Sequence, residues 1–402
     1  MTLTSAFTEV PYSAPEPLVK VLNKCAKDQN PNKIDVTIGV YMTEDGDSSY
    51  VFPSVKQAKQ ELLVKDPGHC YTKMSGVPEF IRGSQNLIFG EYAKDGRVAS
   101  IQTISGTGSL HIAFQFLRSI GYNRYYLGNP SWVNYYPMIE SIGGEIKEYQ
   151  YYDNLTHEVD FESLEKAIRE AEPQSAFLIQ LCGHNPTGVD YSKDQWRQIS
   201  KLVKNREILL VIDSAYLGFA SGSIYEDSWA IRYLYEQNHE FLVCQSYSKN
   251  MGLYSERSGV IHVVLQDTRL RDNVESRLVA IFRNECSFAP AYGARIGAKL
   301  LNDDYLNKIW GKDVYSVYER VTNIKRQIFN KLTDLETPGN WEFVTKAKGL
   351  FWFSGLDKNQ VNRMMNEYSI YMSENGRVNI AGINSSNIDY FCYAINKVVS
   401  QS

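Results

Sequence analysis

Residues 208–250 read ILLVIDSAYLGFASGSIYEDSWAIRYLYEQNHEFLVCQSYSKN. An unbroken apolar run at 208–212 ends in Asp213, a helical pattern follows at 227–236, and a second apolar run at 241–245 ends in Ser246. Strands apolar on both faces belong inside a sheet covered on both sides, and a helix between two of them is the crossover of a right-handed βαβ unit. Working outward, five more strand-like runs occur at 100–104, 124–127, 146–149, 176–181 and 260–265, with helical patterns at 110–120, 161–171 and 193–205 between them. This alternation predicts an α/β fold whose seven strands form a mostly parallel sheet flanked by helices.

Past residue 302 the rhythm changes. Val314, Val317, Val321, Ile324, Ile328, Leu332 and Leu335 recur every three or four residues, which predicts one long helix stopping at Thr337-Pro338-Gly339. Strand-like stretches at 343–344, 351–353 and 369–372, a Glu374-Asn375-Gly376 turn and a last helix at 387–399 read as a smaller α+β unit. The first 45 residues show no regular alternation and are expected to pack on that unit or to reach across to a partner chain. The expected division is an N-terminal arm with part of the small domain at 1–45, a large domain at 46–310 and a small C-terminal domain at 311–402.

Composition narrows the function classes. The chain has 402 residues, 43% of them apolar, with 42 Lys+Arg against 46 Asp+Glu and a net charge of −4. That balance suits a globular protein of two or three domains and excludes a disordered chain. No basic run points to nucleic acid, and apolar runs such as 260–265 fall far short of the roughly 20 residues a membrane helix needs. Six scattered cysteines without a CxxC pair fit a reducing compartment. Residues 1–17 carry Glu9 and Glu16 but no Arg, and Ser400-Gln401-Ser402 is not a peroxisomal address, so the cytoplasm is the expected location. No metal site is expected.

In open α/β sheets, ligands gather where strands end and helices begin. Ser105-Gly106-Thr107-Gly108-Ser109 follows the run at 100–104 and opens a helix, a composition that suits a phosphate or an ordinary glycine turn with a capping serine. A dinucleotide fingerprint fits less well, since His111 stands where the third glycine would fall. Asp213 ends a buried strand, where a carboxylate either answers a cation or caps a helix. Lys249 stands four residues past another buried strand, among hydroxyls and eight residues before Arg257. Such a lysine is either a solvated surface charge or a desolvated nucleophile toward carbonyls. Taken together, a lysine for an aldehyde, an acid for a pyridine nitrogen and a phosphate cup describe pyridoxal 5'-phosphate (PLP).

These residues bring out a resemblance. Ser105-Gly106-Thr107-Gly108, Asn129-Pro130-Ser131-Trp132-Val133-Asn134, the runs 184–188, 213–218 and 246–257, and Gly376-Arg377 stand in the order found in aspartate aminotransferases. The chain resembles these PLP-dependent class I aminotransferases of fold type I from Phe7 to Val399, and Lys249-Asn250-Met251-Gly252-Leu253-Tyr254 is most similar to the eukaryotic branch. The resemblance implies that Lys249 takes the cofactor's aldehyde and, once freed, carries the 1,3-proton transfer. It also implies that Asp213 keeps the pyridine nitrogen protonated, that Tyr216 and Asn185 bond the ring's phenolic oxygen, and that Trp132 stacks on the ring. Ser105, Gly106, Thr107, Ser246 and Arg257 would hold the phosphate, with Tyr71 supplied by the neighbouring subunit of a homodimer.

Substrate recognition follows from charge, since a bidentate arginine is the natural receptor for a carboxylate. The resemblance places Arg377 at the α-carboxylate and Arg283, from across the dimer, at a distal carboxylate, with Gly39, Trp132 and Asn185 beside the substrate. The implied reaction is a ping-pong exchange of the amino group between L-aspartate and 2-oxoglutarate. Five places depart from the family: Gln180 and Tyr135 stand where histidine is usual, Met42 where arginine is, Phe288-Ala289 where Asn-Pro is, and Thr37 where glycine is. These departures leave two further readings, an aminotransferase with a shifted donor such as an aromatic amino acid, and a PLP-binding paralogue with another reaction or a regulatory role.

Overall fold

The computed structural model describes residues 5–14 and 16–401; residues 1–4 and 402, which enter the reading of address signals, lie outside the described residues. All seven expected strands form one sheet: β1 Val98–Ile104, β2 Arg124–Asn129, β3 Glu145–Gln150, β4 Ser175–Gln180, β5 Ile208–Ser214, β6 Phe241–Ser246 and β7 Ser258–Val264. Their spatial order is β1-β7-β6-β5-β4-β2-β3, parallel throughout except for β7, which runs antiparallel to both β1 and β6.

The apolar runs are continuous because each strand feeds two cores. In β4, Phe177 and Ile179 join one buried cluster while Ala176 and Leu178 join another on the opposite face; in β6, Phe241 and Val243 are separated from Leu242 and Cys244 in the same way. The period of two along a strand makes this division unavoidable. Helix α1, Ser105–Ser119, leaves β1 directly and begins five residues earlier than its pattern of bulky apolar residues indicates, because it opens on the small residues of the 105–109 run.

The long helix is α2, Asp304–Asp334, started by Asp303, whose carboxylate accepts from the backbone N–H of Tyr305 and Leu306. Its periodic residues from Val314 to Leu332 are buried; Leu335 lies just past the end and is exposed. The boundary expected at 310/311 falls inside this continuous helix. Residues 343–344, read as strand, instead belong to a helical turn, Phe343–Lys346. Asn340 accepts from the N–H of Glu342 at 2.9 Å to start that turn, and Phe343 stacks on His157 rather than entering a ladder. The N-terminal arm contains a helix, Pro17–Lys27, and a two-residue strand, Ile34–Asp35, that pairs in parallel with Ile370–Tyr371 near the C-terminus.

Candidate active site

The carboxyl ends of β4, β5 and β6, the start of α1 and the Arg377 turn enclose a cavity of about 350 Å³. Lys249, Asp213, Tyr216, Asn185, Trp132 and Gly39 all line it, as do Ser105, Gly106, Thr107, Ser246, Arg257 and Arg377. Twelve of the fourteen residues singled out from the sequence therefore meet at one place. Larger hollows, including one of about 870 Å³ that Tyr71 helps to line, lie elsewhere on the surface and contain none of these twelve residues.

At one end hydroxyls crowd together. The Ser105 Oγ lies 3.1 Å from the Ser246 Oγ and 2.7 Å from the Ser248 Oγ, and Arg257 donates to the Ser248 Oγ at 3.2 Å. Gly106 is needed here, since a β-carbon would stand 2.9 Å from that of Ser246. The N-terminal N–H groups of α1 open into the same space, so hydroxyls, a guanidinium and a helix dipole converge on one anion-sized cradle. Ser248 has the same role in this network as the expected Ser246, and its position within the 246–257 run is the signal that could have found it.

Across from the cradle, Asp213 ends β5. Its Oδ2 accepts from the Tyr135 hydroxyl at 2.5 Å, whereas its Oδ1 is buried with no partner. Burial raises the Asp213 pKa, opposed by the Tyr135 hydrogen bond and by the Lys249 charge. Burial lowers the Lys249 pKa, opposed by Asp213 and assisted by Arg257. The Lys249 amine sits 5.0 Å from the centre of the Tyr216 ring. A carboxylate with a free oxygen beside a lysine inclined to lose its proton can hold a cationic nitrogen and deliver a nucleophilic amine.

Arg377 forms the third wall. One of its terminal nitrogens donates to the Asn185 Oδ1 at 2.8 Å and the other to the Thr37 carbonyl, the guanidinium lies 4.6 Å over the Phe351 ring, and its buried Nε has no partner. Burial lowers its pKa, yet an arginine stays charged. Phe351 also presses on Gly39, where a β-carbon would approach the ring to 2.6 Å. In the sequence Phe351 is legible only as a strand residue, so its place beneath Arg377 had no signal.

The departures are resolved locally. Gln180 braces the Asn185 loop, donating to the Asn185 carbonyl at 2.9 Å and accepting from its N–H at 2.8 Å. Met42 accepts from Arg320 through its backbone carbonyl at 2.9 Å. Tyr71 and Arg283 do not reach the cavity of their own chain. Tyr71 is 80% exposed and stacks on Phe288 at 4.6 Å, Thr72 donates to the Ala289 carbonyl at 3.4 Å, and the exposed Arg283 points at the Met74 sulfur.

Comparisons with known proteins identify the family. The family model described as aminotransferase class I and II matches residues 31–395. The mitochondrial aspartate aminotransferase of Gallus gallus is 37% identical over 400 residues, covering 98% of this chain and 94% of that protein. The structure of aspartate aminotransferase from Saccharomyces cerevisiae cytoplasm superposes with a TM-score of 0.95 at 34% identity, covering 98% of this chain and 99% of that one. An aromatic-amino-acid aminotransferase from Burkholderia pseudomallei, covalently bound to pyridoxal phosphate, superposes with a TM-score of 0.96 at 29% identity, covering 98% of this chain and all of that one. The chain belongs to the class I and II aminotransferases.

Proposed function

We propose that the protein is an aspartate aminotransferase that binds pyridoxal 5'-phosphate and exchanges the amino group between L-aspartate and 2-oxoglutarate in a ping-pong cycle. The observation that carries this reading is the orphaned, buried Oδ1 of Asp213, a residue that lines the same cavity as the desolvated Lys249. A buried carboxylate oxygen without a donor is costly, and a protonated ring nitrogen would satisfy it. The hydroxyl and Arg257 cradle suits the phosphate, so the residues fit the group.

When bound, the cofactor supplies an aldehyde and a cationic ring that accepts the electron pair left when the substrate Cα–H proton departs. The protein's own groups do the rest. Lys249, whose pKa burial lowers, would offer its amine to the aldehyde and, once freed, would carry the proton from the substrate α-carbon to the former aldehyde carbon, the 1,3-transfer that turns the amino acid into an oxo acid. Asp213 holds the proton on the ring nitrogen. Tyr216 and Asn185, which line the cavity, would bond the ring's phenolic oxygen, and Trp132 would stack on its face. Arg377, with Nε free and its other nitrogens steadied by Asn185 and Thr37, orients the α-carboxylate. Arg283 serves the distal carboxylate from a second copy of the chain. The thiols, free in all six cysteines, suit a reducing compartment, and the cytoplasm is the proposed location.

Purified protein given the cofactor, L-aspartate and 2-oxoglutarate should release oxaloacetate and glutamate; absence of turnover with every dicarboxylate donor overturns the assignment. One observation favours a second reading with an aromatic donor. Phe288 and Tyr71 stack in the neighbourhood of Arg283, making it more apolar than a site dedicated to carboxylates requires. A donor panel separates the two, since only the second reading has tyrosine or phenylalanine outrunning aspartate.

A further inference from the structure

The carboxylate of Asp213 can do its work only if one oxygen is turned to the ring nitrogen and kept ionised at low pH. Burial opposes both requirements: it raises the pKa of the group, and it leaves a free carboxylate without water to fix its rotation. The groups around it are few. Lys249 faces it from the segment after β6, Cys244 lies opposite on β6, Tyr216 follows on its own chain segment, and the neutral Gln180 pairs with it in register from β4. Gln180 spends both ends of its amide on the Asn185 backbone. Tyr135 donates the one hydrogen bond that the Asp213 carboxylate receives among the described residues, at 2.5 Å to Oδ2.

Tyr135 is itself well fixed. It is 1% exposed, begins the short helix Tyr135–Ser141, and sets its ring edge-on to Trp132 at 5.3 Å and 88°. Burial followed by the Asp213 charge drives its hydroxyl pKa well above the ordinary value, which favours the protonated, donating phenol. An imidazole in the same place could lose or gain a proton near neutrality, whereas this phenol cannot.

We propose that Tyr135 is the positioning residue of this site: by holding Oδ2 it aims Oδ1 at the cofactor nitrogen and keeps the carboxylate ionised, so that the ring stays cationic without any titrating partner behind it. This rests on the PLP reading above. The mechanism acts through Asp213 and leaves the Arg377 side of the cavity untouched.

The test is cofactor affinity against pH for the wild type, Tyr135→Phe and Tyr135→His, read by cofactor absorbance and by release of cofactor on dilution. A hydrogen bond to a charged group contributes enough that its loss should weaken cofactor binding about ten- to a hundredfold. The acid limb of the affinity profile should rise by about one pH unit in Tyr135→Phe, because the carboxylate then protonates more easily. With turnover as a second readout, kcat should fall about tenfold or more while the aspartate KM stays within about twofold. The histidine variant decides between donor and filler. Phenylalanine keeps the ring volume and histidine keeps a donor, so recovery of affinity by histidine above the phenylalanine variant supports positioning. Equal affinity and an unmoved acid limb in Tyr135→Phe overturn the proposal, as does phenylalanine outperforming histidine. Failure of the wild type itself to bind the cofactor overturns the PLP reading instead.

Discussion

A lysine amine attacks a carbonyl only after it has shed its proton, and Lys249 owes that readiness to burial working against the pull of Asp213. Lys249→Ala should abolish the borohydride-stable cofactor adduct while moving the unfolding temperature of the cofactor-free protein by no more than about 4 °C, since no core packing is lost. Peptide mapping that finds the label on another amine removes Lys249 from the mechanism. Arg377→Ala takes two charge-assisted N–H donors from the α-carboxylate and should lower kcat/KM about a hundredfold or more for dicarboxylate and aromatic donors alike. A loss confined to dicarboxylates would move Arg377 to the distal end of the substrate. At this scale the sequence is legible wherever chemistry demands a residue type at a strand end, as with Asp213, Lys249 and the 105–107 cradle. It is silent on partners brought by other strands: nothing before folding says that Phe351 underlies Arg377, or that Gln180 turns from Asp213 to the Asn185 backbone.

Elements carry their own electrostatic strain, most clearly where α2 meets the loop before the strand Phe351–Phe353. Lys325 is buried on α2 and gives its amine to the carbonyls of Ala347 and Gly349, both at 2.8 Å. Burial, opposed by Asp190, pulls its pKa from 10.5 to about 7. The unfolded chain keeps the ordinary value, so between about pH 7 and 10.5 it binds a proton that the folded chain does not. The contribution of this group to stability therefore rises with pH across that window and is least below it. Lys325→Met removes two hydrogen bonds, at about 1–3 kcal/mol for the carbonyls left behind, but also removes this slope. Urea midpoints measured through the window should show the wild type gaining on the variant as pH rises; parallel curves would mean that Lys325 stays charged in the fold. Periodicity made α2 visible because eight of its apolar residues, from Leu306 to Leu332, are buried at helical spacing. The helix Arg271–Cys286 escaped notice for the opposite reason: only Leu278, Ile281 and Phe282 are buried in sixteen residues, too thin a stripe to stand out among charges.

The whole chain leaves a face that makes little sense alone. Leu63 and Val64 are 81% and 87% exposed and Tyr71 80%, beside a hollow of about 870 Å³ that Phe288, Tyr292 and Arg295 help to line. Exposed apolar groups gathered at one place mark an interaction surface, and the two expected site residues missing from the cavity, Tyr71 and Arg283, belong to the same neighbourhood. Light scattering should give twice the chain mass of 45.9 kDa, and an active monomer would refute the shared site. A sharper test uses two damaged chains. In a doubly tagged heterodimer, one chain carries Lys249→Ala and the other Arg283→Ala. If Arg283 serves the partner's cavity, the chain with an intact Lys249 receives an intact Arg283 from its neighbour, and one site of the two regains the wild-type KM for aspartate. If Arg283 serves its own cavity, that site keeps the damaged KM and the other stays dead. The two outcomes differ in KM as well as in rate, so incomplete assembly, which lowers rate alone, cannot imitate either.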